Sequence, residues 1–133
     1  MSLLIQGDKT LLVGTKLAMT VGLNEAMVLQ QVHYWLMRSK HTIAGRKWVY
    51  NSYREWNKQF PFWSYSVVKR TFRSLEEQGY LLSDSFNKRR MDKTKWYSVN
   101  YKKLEQLEKE LLNMEKTNET YRSLESSYRM ERM

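Results

Sequence analysis

From Ser64 to Gly79 the apolar residues Val68, Phe72 and Leu75 recur three and four apart, with Thr71 beside them. That spacing places them on one stripe of an α-helix. Ser64 suits the N-cap and Gly79 the C-cap. A second stripe, Val28, Leu29, Val32, Trp35 and Leu36, predicts the buried face of an earlier helix. That helix opens at Leu23-Asn24-Glu25 with Asn24 as N-cap, and it ends near Ser39. A polar link through Gly45 leads to Lys47-Trp48-Val49-Tyr50, a short aromatic run that reads as one strand. Asn51-Ser52 then caps a helix with Tyr53, Trp56 and Phe60 as its apolar positions, stopped by Pro61.

Beyond Gly79 the period changes from helical to strand-like. Tyr80-Leu81-Leu82 and Lys95-Trp96-Tyr97-Ser98-Val99 form a two-stranded ribbon, and Asn87 to Lys93 form its tip. At the other end, residues 1–22 read as an arm that docks on the domain, with a β-like run at Leu11-Leu12-Val13. The order of parts is helix, strand, helix, helix, strand, basic turn, strand. It predicts an α+β winged helix-turn-helix over residues 23–101, a three-helix core with a small antiparallel wing.

Residues 102–133 read as a C-terminal helix and tail. Leu104, Leu107, Leu111 and Met114 alternate by three and four, the spacing of a coiled coil sustained for about two heptads. They form a candidate homodimer seam, with packing on the first helix of the same chain as the alternative. From Lys116 onward the chain is polar and mixed in charge.

Charge changes the picture more than composition does. The net charge is +9, and residues 1–100 hold 16 Lys and Arg against 7 Asp and Glu, whereas residues 101–133 hold 7 of each. All the excess cation sits on the segment with folding signals, which draws such a domain to polyanions. A hydrophobic content of 41% supplies a core. There is no cysteine, so disulfides and thiolate metal sites are excluded. No run approaches the ~18 apolar residues of a membrane span and no signal-peptide pattern opens the chain, so no membrane partner and a cytoplasmic, nucleoid-associated setting are expected.

The remaining residues offer no chemistry of bond making. His33 and His41 are the only histidines, and neither has a partner at metal-ligand spacing. Glu76-Glu77 reads as a solvated helix end. No Gly-rich phosphate loop or nucleophile elbow is present. The expectation is a binding protein, not an enzyme, with no catalytic residue, no metal and no cofactor.

Double-stranded DNA is the partner that the pattern favours. Tyr65, Ser66, Lys69, Arg70 and Arg73 lie off the apolar stripe of the third helix and form a polar, cationic front of the kind that reaches base edges and phosphates. Taken alone, such a front also suits an ordinary solvated helix. The ribbon that follows carries Lys88, Arg89, Arg90, Lys93 and Lys95 against one Asp92. A wing so charged contributes affinity through phosphates but little sequence information. The aromatic residues read mostly as core, with Tyr65 or Trp63 as a candidate stacking platform for single strands.

Several strings are also familiar. Gly22-Leu23-Asn24-Glu25-Ala26-Met27-Val28-Leu29-Gln30-Gln31-Val32-His33-Tyr34-Trp35-Leu36 is one. Gly45 through Trp48-Val49-Tyr50, Glu55-Trp56 and Phe60-Pro61-Phe62-Trp63-Ser64 follow, then Lys69-Arg70, Leu75-Glu76, Gly79-Tyr80 and Lys93-Thr94-Lys95-Trp96-Tyr97. Over roughly residues 10–101 the chain resembles the N-terminal domain of phage and plasmid replication proteins of Gram-positive bacteria. These are replisome organisers and initiators related to the DnaD-like primosome proteins. The resemblance implies a winged helix that marks an origin and helps to bring in the helicase-loading machinery. Such proteins often carry a further C-terminal domain for recruitment, whereas about thirty residues follow the wing here. Winged helices also serve transcription regulators, and a basic face also suits an acidic protein partner, so both alternatives stand beside the first.

Overall fold

The computed structural model describes residues 11–85, 94–114 and 116. In chain order the elements are α1 (Thr15–Val21), α2 (Leu23–Leu36), β1 (His41–Ile43), β2 (Arg46–Asn51), α3 (Tyr53–Gln59), α4 (Tyr65–Gln78), β3 (Leu81–Asp84) and β4 (Lys95–Val99). A fifth helix, α5, covers residues 101–114. The chain divides after Asn100 into two units. Among the described residues the first holds four helices and a small antiparallel sheet in the order β1-β2-β4-β3, giving a mixed α+β architecture.

Local chemistry sets the helix ends. Ser52 caps α3 by accepting from the Glu55 amide at 3.2 Å, and its hydroxyl donates to Glu55 Oε1 at 3.3 Å. Ser64 caps α4 through the Val67 amide at 3.3 Å. Gly79 ends α4 in the left-handed region at φ 82°. Its amide donates to the Glu76 carbonyl and that of Tyr80 to the Leu75 carbonyl, each at 3.1 Å. This pair of bonds is a Schellman closure, which glycine adopts without strain.

The core lies where α2, α3 and α4 meet one face of the sheet. Val28, Leu29, Val32 and Leu36 come from α2, and Val68, Phe72 and Leu75 from α4. Trp56 and Phe60 from α3 and its end join Leu81, Tyr97 and Val99 from the strands. Trp56, Phe72 and Tyr97 form a mutual ring cluster with centroids 5.0–6.3 Å apart.

Five features depart from the sequence expectation. Leu11-Leu12-Val13 is not a strand, and the segment after it is helical as α1; residues 1–10 lie outside the described residues. α2 starts at Leu23 with Gly22, not Asn24, as N-cap, because Gly22 at φ 113° ends α1 and opens α2 at once. α2 also stops at Leu36, short of Ser39. The polar link is partly a strand, β1, hairpinned to β2 through Ala44 and Gly45 at φ 52° and 77°. Positive φ at both central residues is what a two-residue type I′ hairpin requires. Finally, Trp35 is not on the buried face of α2 but is 39% exposed.

α5 carries Leu104, Leu107 and Leu111 half-exposed along one stripe, with Met114 exposed at its end. No helix among the described residues is long and apolar enough to cross a membrane.

The core and the cap make separable contributions. Phe72→Ala should lower unfolding stability by about 3–5 kcal/mol, and Ser64→Ala by about 1 kcal/mol, in urea unfolding. A Phe72→Ala cost no larger than that of the cap would contradict this placement of the core.

Candidate nucleic-acid interface

The apolar stripe of α4 is fully used in the core, so the opposite face has to point outward. Val68, Thr71, Phe72 and Leu75 are all buried. Ser66, Arg70 and Arg73 are exposed, Tyr65 is 46% exposed and Lys69 is half-buried. Ser66, Lys69, Arg70 and Arg73 line one surface depression with Ser74 and Glu77. Among the described residues, Lys69, Arg70 and Arg73 take no hydrogen bond or ion pair. Their charge is therefore not spent inside the fold. The N-terminal turn of α4 adds the positive end of the helix dipole on the same side as Tyr65 and Ser66, and no acidic residue offsets it there.

The angle at which α4 leaves α3 is also fixed by local bonds. The Asn57 side-chain Nδ2 donates to the Phe60 carbonyl at 3.2 Å and to the Trp63 carbonyl at 2.8 Å, closing the turn. Trp63 stacks on Phe60 with centroids 4.7 Å apart and planes 20° apart. One face of Trp63 is thus taken, which weakens its reading as a stacking platform and leaves Tyr65 as the open ring of the pair.

Of the expected wing cations only Lys95 is described; Lys88, Arg89, Arg90 and Lys93 lie outside the described residues. Lys95 starts β4 opposite Asn51. Its Nζ donates to the Tyr53 hydroxyl at 3.3 Å and sits 5.4 Å from the Tyr53 ring centroid. Tyr53 in turn meets Tyr65 edge to face at 6.2 Å. A chain of side-chain contacts therefore runs from the loop end of the β3–β4 ribbon, through α3, to the first turn of α4. Sequence reasoning missed Tyr53 as a linking residue. It reads as an apolar position of α3, and only its hydroxyl signals a polar role.

Behind this chain Tyr97 is buried. Its hydroxyl is pushed far above the ordinary tyrosine pKa, first by burial and then by its bond with Tyr53 and the nearby Glu76 charge. A raised pKa means the folded state keeps its proton after the unfolded state has begun to lose it. The stabilisation is complete below the ordinary value of about 10 and declines as pH rises above it. Urea unfolding followed from pH 8 to 11 should show a falling alkaline limb, shallower in Tyr97→Phe. An identical limb in the variant would mean that Tyr97 is not the group responsible.

Other sequence candidates are not brought together. His33 and His41 lie on separate elements, α2 and β1. No group of three or more His, Asp or Glu side chains able to hold a metal ion occurs among the described residues. Comparison of the chain with protein-family models, with curated proteins and with solved structures gives no match.

Proposed function

We propose that the chain is a non-catalytic, winged-helix binder of double-stranded DNA that acts in replication initiation or replisome organisation of phage or plasmid type. The carrying observation is the α4 face. Lys69, Arg70 and Arg73 stand unpaired among the described residues on a helix whose back is locked into the core. The topology supports the same reading. The ribbon β3–β4 directly follows α4, and β2 adds to it in the order β2-β4-β3. α3, the bonded turn and α4 then act as the helix-turn-helix, with α4 as recognition helix and the ribbon as wing. The replication role rests on the resemblance of residues 10–101 to phage and plasmid replication proteins, and a helicase-loading component is the protein partner it suggests. Footprinting on the DNA of the element that encodes the chain separates the readings. Protected repeats within an origin support replication, and a protected promoter operator would point to transcription control instead. Absence of any footprint would leave an acidic protein as the partner of the basic face.

Binding through α4 and binding through the wing should differ in kind. Arg70→Ala and Arg73→Ala should each weaken specific binding by roughly 1–3 kcal/mol, with folding nearly intact. Neutralising Arg89 and Arg90 should weaken all sequences alike and reduce the slope of log affinity against log salt by about one unit for each phosphate no longer neutralised. A double α4 variant that binds as wild type would remove the recognition helix from the reading. An unchanged salt slope would remove the wing.

A single module of this size buries little DNA surface, which favours paired half-sites and a homodimer. Leu104, Leu107, Leu111 and Met114 supply the seam. An isolated helix of this length is marginal in water, and its tail is neutral where the first unit is strongly cationic. Leu107→Glu with Leu111→Glu should give a folded monomer in sedimentation. Wild type sedimenting as a monomer at tens of micromolar would sink the dimer.

A further inference from the structure

A second cationic surface lies away from α4, and it is built around the tryptophan that the helical pattern expects to be buried. Between the end of α2, the end of β2 and α3 opens a cleft of about 580 Å³, and no residue of α4 lines it. Trp35 enters it from α2 and Tyr50 from β2, exposed by 39% and 48%. Arg38, Lys40 and Lys58 stand around it, against one carboxylate, Glu55. That carboxylate is already committed to the N-cap of α3 through the Ser52 hydroxyl at 3.3 Å.

The rings are held, not loose. The Trp35 indole N–H donates to Gln59 Oε1 at 2.8 Å, and the same oxygen accepts from Gln31 Nε2 at 2.7 Å. The indole N–H of Trp35 is therefore satisfied by the protein's own Gln59, which fixes the ring in place. Tyr50 is braced by His41 at 5.4 Å and by Trp96 at 4.6 Å. Arg38 is fixed over the Tyr34 ring, 3.7 Å from its centroid, while donating to the Tyr34 carbonyl at 3.0 Å. Rigid rings lose little entropy when a flat ligand lies on them.

Fixed ring faces flanked by cations match a ligand that carries flat bases and regularly spaced phosphates. Duplex DNA does not offer that combination, because its base faces are stacked and paired. An acidic peptide would satisfy the charge, but its usual anchors need aliphatic pockets, and the single aliphatic lining residue, Val49, is itself buried. We propose that this cleft binds single-stranded DNA, stacking a base on Trp35 or Tyr50 and holding neighbouring phosphates at Arg38, Lys40 and Lys58. The single-stranded chemistry stands independently of α4. The choice of DNA over RNA rests on the duplex-DNA reading of that helix. A chain with both surfaces would sit where a duplex gives way to an open strand.

The test uses the full chain and fluorescence anisotropy with two labelled probes, an oligo(dT) of about 12 nucleotides and a random duplex of about 20 base pairs, both at low salt. Tyr50→Ala should weaken oligo(dT) binding about tenfold and leave duplex binding unchanged, while Tyr50→Phe restores it. Lys40→Glu with Lys58→Glu should do the same without touching a ring. Trp35→Phe should bind nearly as wild type, and Trp35→Ala should not, with thermal melting confirming that each variant is folded. Arg70→Ala with Arg73→Ala should show the reverse selectivity. Oligo(dT) affinity unchanged in both Tyr50→Ala and the lysine reversal overturns the proposal. So does its loss in the α4 variant alone, or its displacement by a poly-glutamate peptide of equal charge. An oligo(rU) of equal length bound more tightly than oligo(dT) overturns the choice of DNA. Dependence on Tyr50 in a chain with no duplex affinity upholds the single-strand site and removes the α4 reading instead.

Discussion

Trp56, Phe72 and Tyr97 meet at the centre of the first unit, one each from α3, α4 and β4. All three are essentially inaccessible to solvent. Buried aromatic rings of this size dominate the energetics of a small core. Here they also set its geometry. Phe72 anchors the back of α4, Tyr97 anchors the middle of β4, and Trp56 ties both to α3. Once the back of α4 is bound in this way, Arg70 and Arg73 are left on its exposed face, with Lys69 half-buried at its margin. The same packing sets where β4 begins, and so where Lys95 reaches Tyr53 and the first turn of α4. The outward face of α4 and the start of β4 are consequences of one ring cluster.

Features that depend on a few adjacent residues are legible in the sequence. Ser52 and Ser64 cap their helices, Gly79 closes α4, and Val68, Phe72 and Leu75 are buried as their spacing requires. Each follows from a backbone group that needs a partner or from a 3.6-residue period. The hairpin of β1 and β2 escapes such reading because its turn uses Ala44-Gly45. Alanine at positive φ is costly, so the pair carries none of the signal of Asn-Gly or Asp-Gly. Asn24 suits a cap on propensity alone. Gly22 takes the place because the chain must leave α1 and enter α2 within one residue, and only its φ of 113° allows that.

The candidate interface divides along the same line. The cations of α4 are readable because periodicity tells which side of a helix is buried. The link from Lys95 to Tyr53 spans 42 residues, and the Trp35 bond to Gln59 spans 24. Neither leaves a local mark. Trp35 in particular fits the α2 stripe by spacing. A helix surface is wider than its core-facing strip, however, and Trp35 lies at the margin, where α3 supplies Gln59 to its indole N–H. A polar partner for the ring edge makes partial exposure tolerable, since the indole N–H already donates its hydrogen bond to Gln59.

Six cations of the first unit thus fall on two surfaces with different chemistry. On α4 the cations line a surface depression together with Ser66, Ser74 and Glu77, and the exposed Tyr65 stands at the start of the same helix. In the cleft they surround ring faces, and the only carboxylate is tied to a helix cap. Charge alone attracts any polyanion and is screened within about 10 Å at moderate salt. Discrimination has to come from what stands beside the charge. Polar side chains on a straight helix suit a grooved, regular polymer, whereas braced rings suit one whose bases are unpaired. The exposed rings of Trp35 and Tyr50 are what make the second surface different from the first.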